Sequence, residues 1–572
     1  MVLYGKAKAK VQSWHKVEIV PKDIRGITMG NIMNITVAEC CLFKIIMQDV
    51  KAGTLPGYSM YLLIPVVSIM EALLAPLVAW LGYKTRRTTI LRWSLGIMII
   101  SSLWVFLPSP PRIQETEFCN STIINQDIEF THLSLRTTFR LVITVGMAIC
   151  FALARVASWS HVVAYMDDIA PDRMSVHVGI LICARIIVLL FNNLLVQGLD
   201  RTILITLGML TIFTLLNTLR LFFGLPKVTQ DTGDLKLIPM NDRGYFRSLK
   251  RVLFNFVAMS QMISMGLVAA ALWGFGYYEH EIIKTNFNIM PIIGNNINDS
   301  TKFLINVVFI FAVVYMGVKQ SAPIRPKFDM TKALSISFKM TFFVIILYIL
   351  IVAAPPCSKG HVAGLENGQD YASPQCSLPC GCVPRFKEFS PVCVVDTMTT
   401  YVSPCEAGCT EQQSINNLRV YTNCSCASTG HAIPGACSDY NCQIGFNYHG
   451  ALFSMILTVS LVAFQAHSMS ILKSVDPRDK SIAIGLMWSV IAVMTFVVGN
   501  NIFYAIDLNT CSWYTGQRCQ LHSDWFPYAV GITCVNFTLT ALIINGAACR
   551  YLRTKRKDDV TDEPNACTST RI

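Results

Sequence analysis

Charged side chains embedded in otherwise apolar stretches are costly to keep, and by default they mark functional sites. Glu39, Lys44, Glu71, Arg92, Arg155, His161 and Arg185 are of this kind, and all lie in the first part of the chain. The second part has almost none between the ends of its apolar runs, His467 being the main exception. Arg155 stands well inside the run 138–165, among Ala154, Val156 and Ala157, and Arg185 sits within Ala184-Arg185-Ile186. A guanidinium is permanently charged and can grip a carboxylate or sulfate through two parallel hydrogen bonds. Arg155 is therefore the leading candidate for holding an anionic substrate, with Arg185 and Lys44 behind it and Glu71 and His161 completing the set. Each has a plainer reading. Arg155 and Arg185 also suit an internal ion pair with Glu71 or Glu39. Lys44 also suits snorkelling to the surface. His161, six residues after Arg155, titrates near neutrality if exposed, and is otherwise a hydrogen-bonded packing residue, the reading we favour. Arg92 lies near one end of its run and belongs with the flanking cations.

Asp167 and Asp168, followed by Asp172 and Arg173, form a carboxylate cluster beside a run. No nucleophile–base pattern surrounds it, so a gating salt bridge or helix cap is expected there rather than acid–base catalysis. No phosphate loop of the form GxxxxGK[ST], metal triad or nucleophile elbow occurs. The expectation is a protein that is not an enzyme, with no cofactor, no metal and no nucleic-acid partner.

The elements that must position these residues are long apolar runs. Of the 572 residues, 53% are hydrophobic and only 14% charged, against about 25% charged in an ordinary soluble domain. A spanning helix needs about 20 mostly apolar residues. Twelve runs qualify: 27–49, 58–82, 90–108, 138–165, 176–198, 202–225, 252–276, 301–318, 336–355, 449–471, 482–505 and 526–549. The even-numbered connections carry Lys84, Arg86 and Arg87, then Arg173, then Lys236, Arg243, Arg247, Lys250 and Arg251, then Lys319 and Arg325, then Lys473, Arg478 and Lys480. The positive-inside rule thus puts both termini in the cytoplasm and reads most of the net charge of +12 as topology. The expected fold is all-α and polytopic, with twelve transmembrane helices in a major-facilitator-like 6+6 division about the charged loop 226–251. The organisation reads as a cytoplasmic segment 1–26, helices one to six within 27–225, seven to nine within 252–355, an extracellular loop 356–448, helices ten to twelve within 449–549 and a tail 550–572. No leading apolar region occurs in the first 26 residues, so the first membrane helix is expected to target the chain. Asn120-Ser121-Thr122 and Asn298-Asp299-Ser300 are glycosylation acceptors on outside loops. Asn34 and Asn536 fit the same pattern but fall within helices. Cys549 is a weak candidate for lipidation.

Eleven of the 21 cysteines fall between Cys357 and Cys442. That density belongs to an oxidised, stapled extracellular segment, and the absence of His at ligand spacing argues against zinc. From Cys376 the spacing is C-x3-C-x-C-x10-C-x11-C-x3-C-x14-C-x-C, with Pro391-Val392-Cys393 and Tyr401-Val402-Ser403-Pro404-Cys405 at its centre. This resembles a Kazal-type module over 374–428. Such a block between the ninth and tenth spans resembles the organic anion transporting polypeptide family of solute carriers. Tyr165-Met166-Asp167-Asp168, Ser474-Val475-Asp476-Pro477 and Asn423-Cys424-Ser425-Cys426 resemble further segments of that family. The resemblance implies pairing of Cys376 with Cys409, Cys382 with Cys405 and Cys393 with Cys424. It implies further staples among Cys357, Cys380, Cys426, Cys437 and Cys442; eleven is odd, so one pairs with Cys119, Cys511 or Cys519 or stays free. It also implies an Arg in the fourth helix, which Arg155 approximates with a shift of about one turn.

The chain is a divergent member by this reading. The family's Asp-x-Arg-Trp signature meets Asp200-Arg201-Thr202 here, and no Trp occurs from there to Lys227. Leu107-Pro108-Ser109-Pro110 stands where many members carry a His, and no Lys or Arg occurs between Ser481 and Asp507. The resemblance implies sodium-independent secondary transport of amphipathic organic anions across the plasma membrane by alternating access, as uptake or as exchange for an intracellular anion such as bicarbonate. The alternative is a non-transporting surface protein whose Kazal-like domain binds an extracellular partner, with the helices as its anchor.

Overall fold

The computed structural model describes residues 59–84, 87–102, 118–119, 135–169, 177–182, 244–287, 330–354, 361–365, 371–382, 390–415, 418–437, 440–515 and 518–562, with single positions at Ile35, Met174, Met209, Ile212 and Leu216. Among these residues, seven helices are long and apolar enough to cross a bilayer, over Leu62–Leu81, Thr138–Ala164, Phe256–Phe287, Met330–Val352, Ile444–Ser474, Pro477–Asn509 and Phe526–Lys555. Thr89–Ile100 is a shorter apolar helix. Apart from those single positions, the expected spans at 27–49, 202–225 and 301–318, and most of 176–198, lie outside the described residues.

The helices are α1 (Ser59–Lys84), α2 (Arg87–Ser102), α3 (Leu135–Ile169), α4 (Tyr245–Leu253), α5 (Phe256–Phe287), α6 (Met330–Val352), α7 (Tyr440–Ser474), α8 (Lys480–Ile491), α9 (Asn500–Asn509) and α10 (Phe526–Asp562). Most are apolar on every side, as helices with one face to lipid and one to protein must be. Leu73, Phe139 and Ile543 are 65–68% exposed and mark the lipid-facing surface. Three bounds differ from the sequence reading. α5 runs to Phe287, about three turns past 276. α7 begins at Tyr440, inside the expected loop. Residues 245–251 of the charged loop 226–251 are helical, as part of α4. Between α8 and α9 the helix widens into a π segment, Ala492–Gly499. Such widenings are rare and cluster at functional sites.

Two helix groups meet along α1, α3 and α8. Gly485 lets α8 close on α1: a Cβ there would stand 2.5 Å from the Ala79 Cβ and 2.8 Å from the Ala75 carbonyl oxygen. Ser489 on α8 donates from Oγ to the Ala72 carbonyl. The second group, α5, α6, α7 and α10, is stitched by a buried polar chain. His467 Nδ1 donates to Gln261 Oε1 at 2.8 Å. Gln261 Nε2 donates to Asn545 Oδ1 at 3.0 Å, and Asn545 Nδ2 to Ser337 Oγ at 2.9 Å. The lone histidine that the sequence singled out in the second part is thereby given a partner inside its own bundle. Without a hydrophobic drive between helices in lipid, such hydrogen bonds and close small-residue contacts carry the association.

The segment between α6 and α7 folds outside the helices as a six-stranded sheet in the order β1-β3-β2-β6-β5-β4. Its strands are β1 (His361–Val362), β2 (Val392–Val394), β3 (Thr399–Tyr401), β4 (Glu411–Ile415), β5 (Leu418–Thr422) and β6 (His431–Pro434). The pairing is antiparallel except between β1 and β3. Val392, Val394, Ala407, Cys409 and Cys424 form its small core.

The disulfides correct the expected pattern. Cys382 pairs with Cys405. Cys409 pairs with Cys424 instead of Cys376, because the β4–β5 register of Glu411 opposite Thr422 brings the two residues flanking the hairpin face to face. Cys376 then pairs with Cys426, and Cys393 on β2 with Cys437 just past the neighbouring β6, instead of with Cys424. Cys511 and Cys519 close their own hairpin, β7 (Cys511–Thr515) with β8 (Arg518–His522). Cys119 joins Cys380. Cys442 is also disulfide-bonded. Cys549 is a free, half-buried thiol directed at the Leu334 carbonyl.

The sheet domain is held on two sides. Trp513 of β7 packs with Val402, and its ring lies 5.7 Å from that of Tyr371. On the other side Phe118 packs against Tyr421, and the Cys119 amide donates to the Cys409 carbonyl at 2.9 Å. Within the domain, Glu406 is buried and accepts hydrogen bonds from Ser377 Oγ at 3.0 Å and Ser373 Oγ at 3.2 Å. Burial, with the Glu406 charge adding to it, pushes the Tyr371 phenol far above its ordinary range.

Candidate functional site

The Arg155 side chain emerges from α3 at the place where α1 and α8 pack against it. Its Nη2 donates to both carboxylate oxygens of Glu71 on α1, at 2.6 and 2.8 Å. Both residues are nearly inaccessible, at 7% and 3% exposure. The guanidinium also lies over the Trp488 ring of α8, 5.0 Å from its centroid, and Trp488 meets Trp159 edge to face at 5.8 Å. A cation held between a carboxylate and an indole face has its charge balanced while keeping an apolar, flat surface beside it. Of the residues singled out in the sequence, the structure therefore joins Arg155 and Glu71. It places His161 fully buried on the same helix and leaves Arg92 half-buried near the start of α2. Lys44, Arg185, Glu39, Asn120 and Asn298 lie outside the described residues.

Two layers of contact bracket this pair along the helices. Toward the Ser59 end of α1, Leu63, Ile64 and Val67 pack with Leu141 and Val145 of α3 and with Trp273 and Phe496. Trp273 of α5 and Phe496 of the π segment meet edge to face at 4.9 Å. Toward the other end, Asp167 at the close of α3 forms an ion pair with Lys480 at the start of α8. The adjoining Asp479 takes Arg251 of α4 in two hydrogen bonds, at 2.7 and 2.9 Å. Asp167 is thus an ion-pair residue, and the pair joins α3 to α8.

Trp488, Lys480 and Phe496 escaped the sequence reading. Trp488 is neutral and sits in an unbroken apolar run, so only its position away from the run's ends, where membrane-interface aromatics gather, sets it apart. Lys480 counted as one of many flanking cations.

The family model for the Organic Anion Transporter Polypeptide (OATP) family matches residues 228–524, more than half of the chain. The chain belongs to this family. Relatives within it include rat solute carrier organic anion transporter family member 2B1, 26% identical over 341 residues that cover 57% of this chain and 44% of the relative. Human member 1B1 is 26% identical over 321 residues, covering 52% and 44%. Drosophila melanogaster member 74D is 28% identical over 191 residues, covering 31% and 23%. The matched region thus spans less than half the length of these OATP relatives. A solved structure of a major facilitator superfamily transporter, FucP, in the outward conformation superposes with a TM-score of 0.48 at 8% identity, covering 92% of this chain and 99% of that one. The family model takes in α4 to β8 and the whole sheet domain. Arg155 and Glu71 lie outside its matched region.

Proposed function

We propose that the chain carries amphipathic organic anions across the plasma membrane by sodium-independent alternating access, as uptake or as exchange for an intracellular anion such as bicarbonate. The observation that carries this reading is Arg155, buried where the helix groups meet, balanced by Glu71 and roofed by Trp488. An incoming carboxylate or sulfate competes with Glu71 for the guanidinium, since a planar fork binds either anion in the same geometry. Trp488 and Trp159 offer the hydrophobic body of the substrate a flat apolar surface. Arg185 and Lys44 supply further positive charge to the same path, and His161 packs behind it.

Alternating access needs two closures that are not open together. Leu63, Ile64, Trp273 and Phe496 make the outer one in this reading, and the Asp167–Lys480 and Arg251–Asp479 pairs make the inner one. The chain crosses the membrane twelve times with both termini inside, in a 6+6 major-facilitator arrangement. The disulfide-rich sheet at 374–428 is a Kazal-like domain outside, and Asn120 and Asn298 carry glycans. Family membership and the seven long apolar helices support this placement. The reading is of a transporter rather than an enzyme.

The test is uptake of sulfated-steroid and bile-acid-like anions by cells expressing the chain, with surface level measured in parallel. Saturable uptake that survives replacement of sodium by choline, and disappears in Arg155→Met/Glu71→Met at equal surface level, is the expected result. Normal uptake by that variant refutes the site. No uptake of any anion by the surface-expressed native chain refutes the function.

A further inference from the structure

Helix α4 reads Tyr-Phe-Arg-Ser-Leu-Lys-Arg-Val-Leu and is the most strongly two-sided helix described. Ser248 and Val252, one turn apart, face inward. Phe246, Arg247, Lys250 and Leu253 face outward, and Phe246 and the capping Phe254 are each 79% exposed. At 100° per residue, Leu253 and Phe246 form one flank of that outer surface, and Lys250 and Arg247 the other. Lys250 Nζ lies 5.7 Å from the Phe254 ring centre.

The helix is fixed at the start of a span. Asn255 accepts from the Ala258 amide through Oδ1 and donates from Nδ2 to the Ser474 carbonyl at 2.6 Å, and the apolar span begins at Phe256. Arg251 is turned the other way, to Asp479 and Ser248. An outward surface that pairs two bare phenylalanine rings with two cations, held level with the end of a membrane helix, has the chemistry of a helix lying in the bilayer boundary. Rings enter the acyl region, while cations stay level with headgroup phosphates and attract anionic lipid.

We propose that α4 is a lipid-binding helix: Phe246, Leu253 and Phe254 insert into the leaflet, and Arg247 and Lys250 take the headgroup of an anionic phospholipid of the phosphatidylserine type. Through Arg251 and Asp479 the same helix is fastened beside Lys480, so the lipid meets the protein next to the inner ion pairs. The assignment needs the membrane placement but not the transport reading, and its test uses no substrate.

The full chain is placed in nanodiscs of phosphatidylcholine containing a trace of photoreactive phosphatidylserine or, separately, photoreactive phosphatidylcholine. Adducts on the peptide carrying 244–256 are then quantified. Phosphatidylserine adducts are expected to exceed those of phosphatidylcholine. They should fall roughly thirtyfold in Arg247→Gln/Lys250→Gln, as loss of two surface cations implies, while phosphatidylcholine adducts persist. Phe246→Ser/Phe254→Ser should lower both. Equal labelling by the two lipids, serine-lipid labelling unmoved by the Gln pair, or a peptide labelled by neither overturns the proposal. So does competition by excess soluble glycerophosphoserine, which would make the ligand a free anion.

Discussion

The helix bundle and the sheet domain solve the same problem with opposite materials. In the bundle, adjoining helices are held by a few buried polar contacts, namely Arg155 on Glu71, Asp167 on Lys480, and the His467–Gln261–Asn545–Ser337 chain. In the sheet domain, the joints are covalent. The solvent explains the difference. Lipid gives apolar helices no reason to prefer one another, so polar pairs and the close approach at Gly485 choose the partners. Water does reward burial, but a sheet of strands two to five residues long has too little core to hold itself, and cross-links replace the missing area. The bundle contacts are non-covalent and can be exchanged for other polar partners. The disulfides cannot.

The largest break in this comparison comes from orphaning a buried charge. Arg155→Ala leaves Glu71 uncompensated and should destabilise by about 3–5 kcal/mol. It should lower surface expression, and Arg155→Met/Glu71→Met should recover expression, as measured by biotinylation. Removing one domain staple, as in Cys393→Ser/Cys437→Ser, should destabilise the sheet domain by about 2–5 kcal/mol. Limited proteolysis should then cut within 356–438 while the helices remain protected. Gly485→Leu tests the bundle from the packing side. Its side chain meets α1 backbone, and a loss of about 1–3 kcal/mol is expected as a lower melting midpoint in detergent. Arg251→Gln should do least. Arg251 is 30% exposed although Asp479 is buried, and the Gln amide can still donate to that carboxylate, so a loss of about 1 kcal/mol is expected.

The domain also carries a pH signature. Burial raises the folded-state pKa of Tyr371, so its contribution is complete below the unfolded tyrosine value of about 10 and is lost as pH rises beyond it. The sheet domain should therefore loosen above that pH, and Tyr371→Phe should blunt the loss when proteolytic resistance is followed against pH.

The two regions were also unequally legible in the sequence. The runs 58–82, 138–165 and 526–549 announced α1, α3 and α10, because twenty apolar residues in succession have few other uses. α5 was read short, because Glu279, His280, Glu281 and Lys284 break the apolar pattern while the helix continues. The π segment left no mark, since Ala492–Gly499 is an ordinary apolar octet and the change lies in hydrogen-bond register. In the candidate site, opposite charges in hydrocarbon have so few partners that Glu71 could be named as one of two carboxylates for Arg155. Trp488 carries no charge and could not be found that way. Disulfide connectivity was least legible, because spacing does not reveal which residues a hairpin register sets opposite each other.

The Cys119–Cys380 bond has a consequence for the connectedness of the whole molecule. Its partners are 261 residues apart, so together with the intervening chain they close a ring that contains α3, α4, α5 and α6. A single nick inside that ring, in the segment 226–244 for instance, opens it without yielding two pieces. The chain should migrate intact on a non-reducing gel and fall into two fragments only when a reductant is added. During synthesis, Cys119 must wait for its partner until four further described helices have been made. The molecule becomes a ring only once Cys380, made ahead of strands β2 to β6, has been delivered.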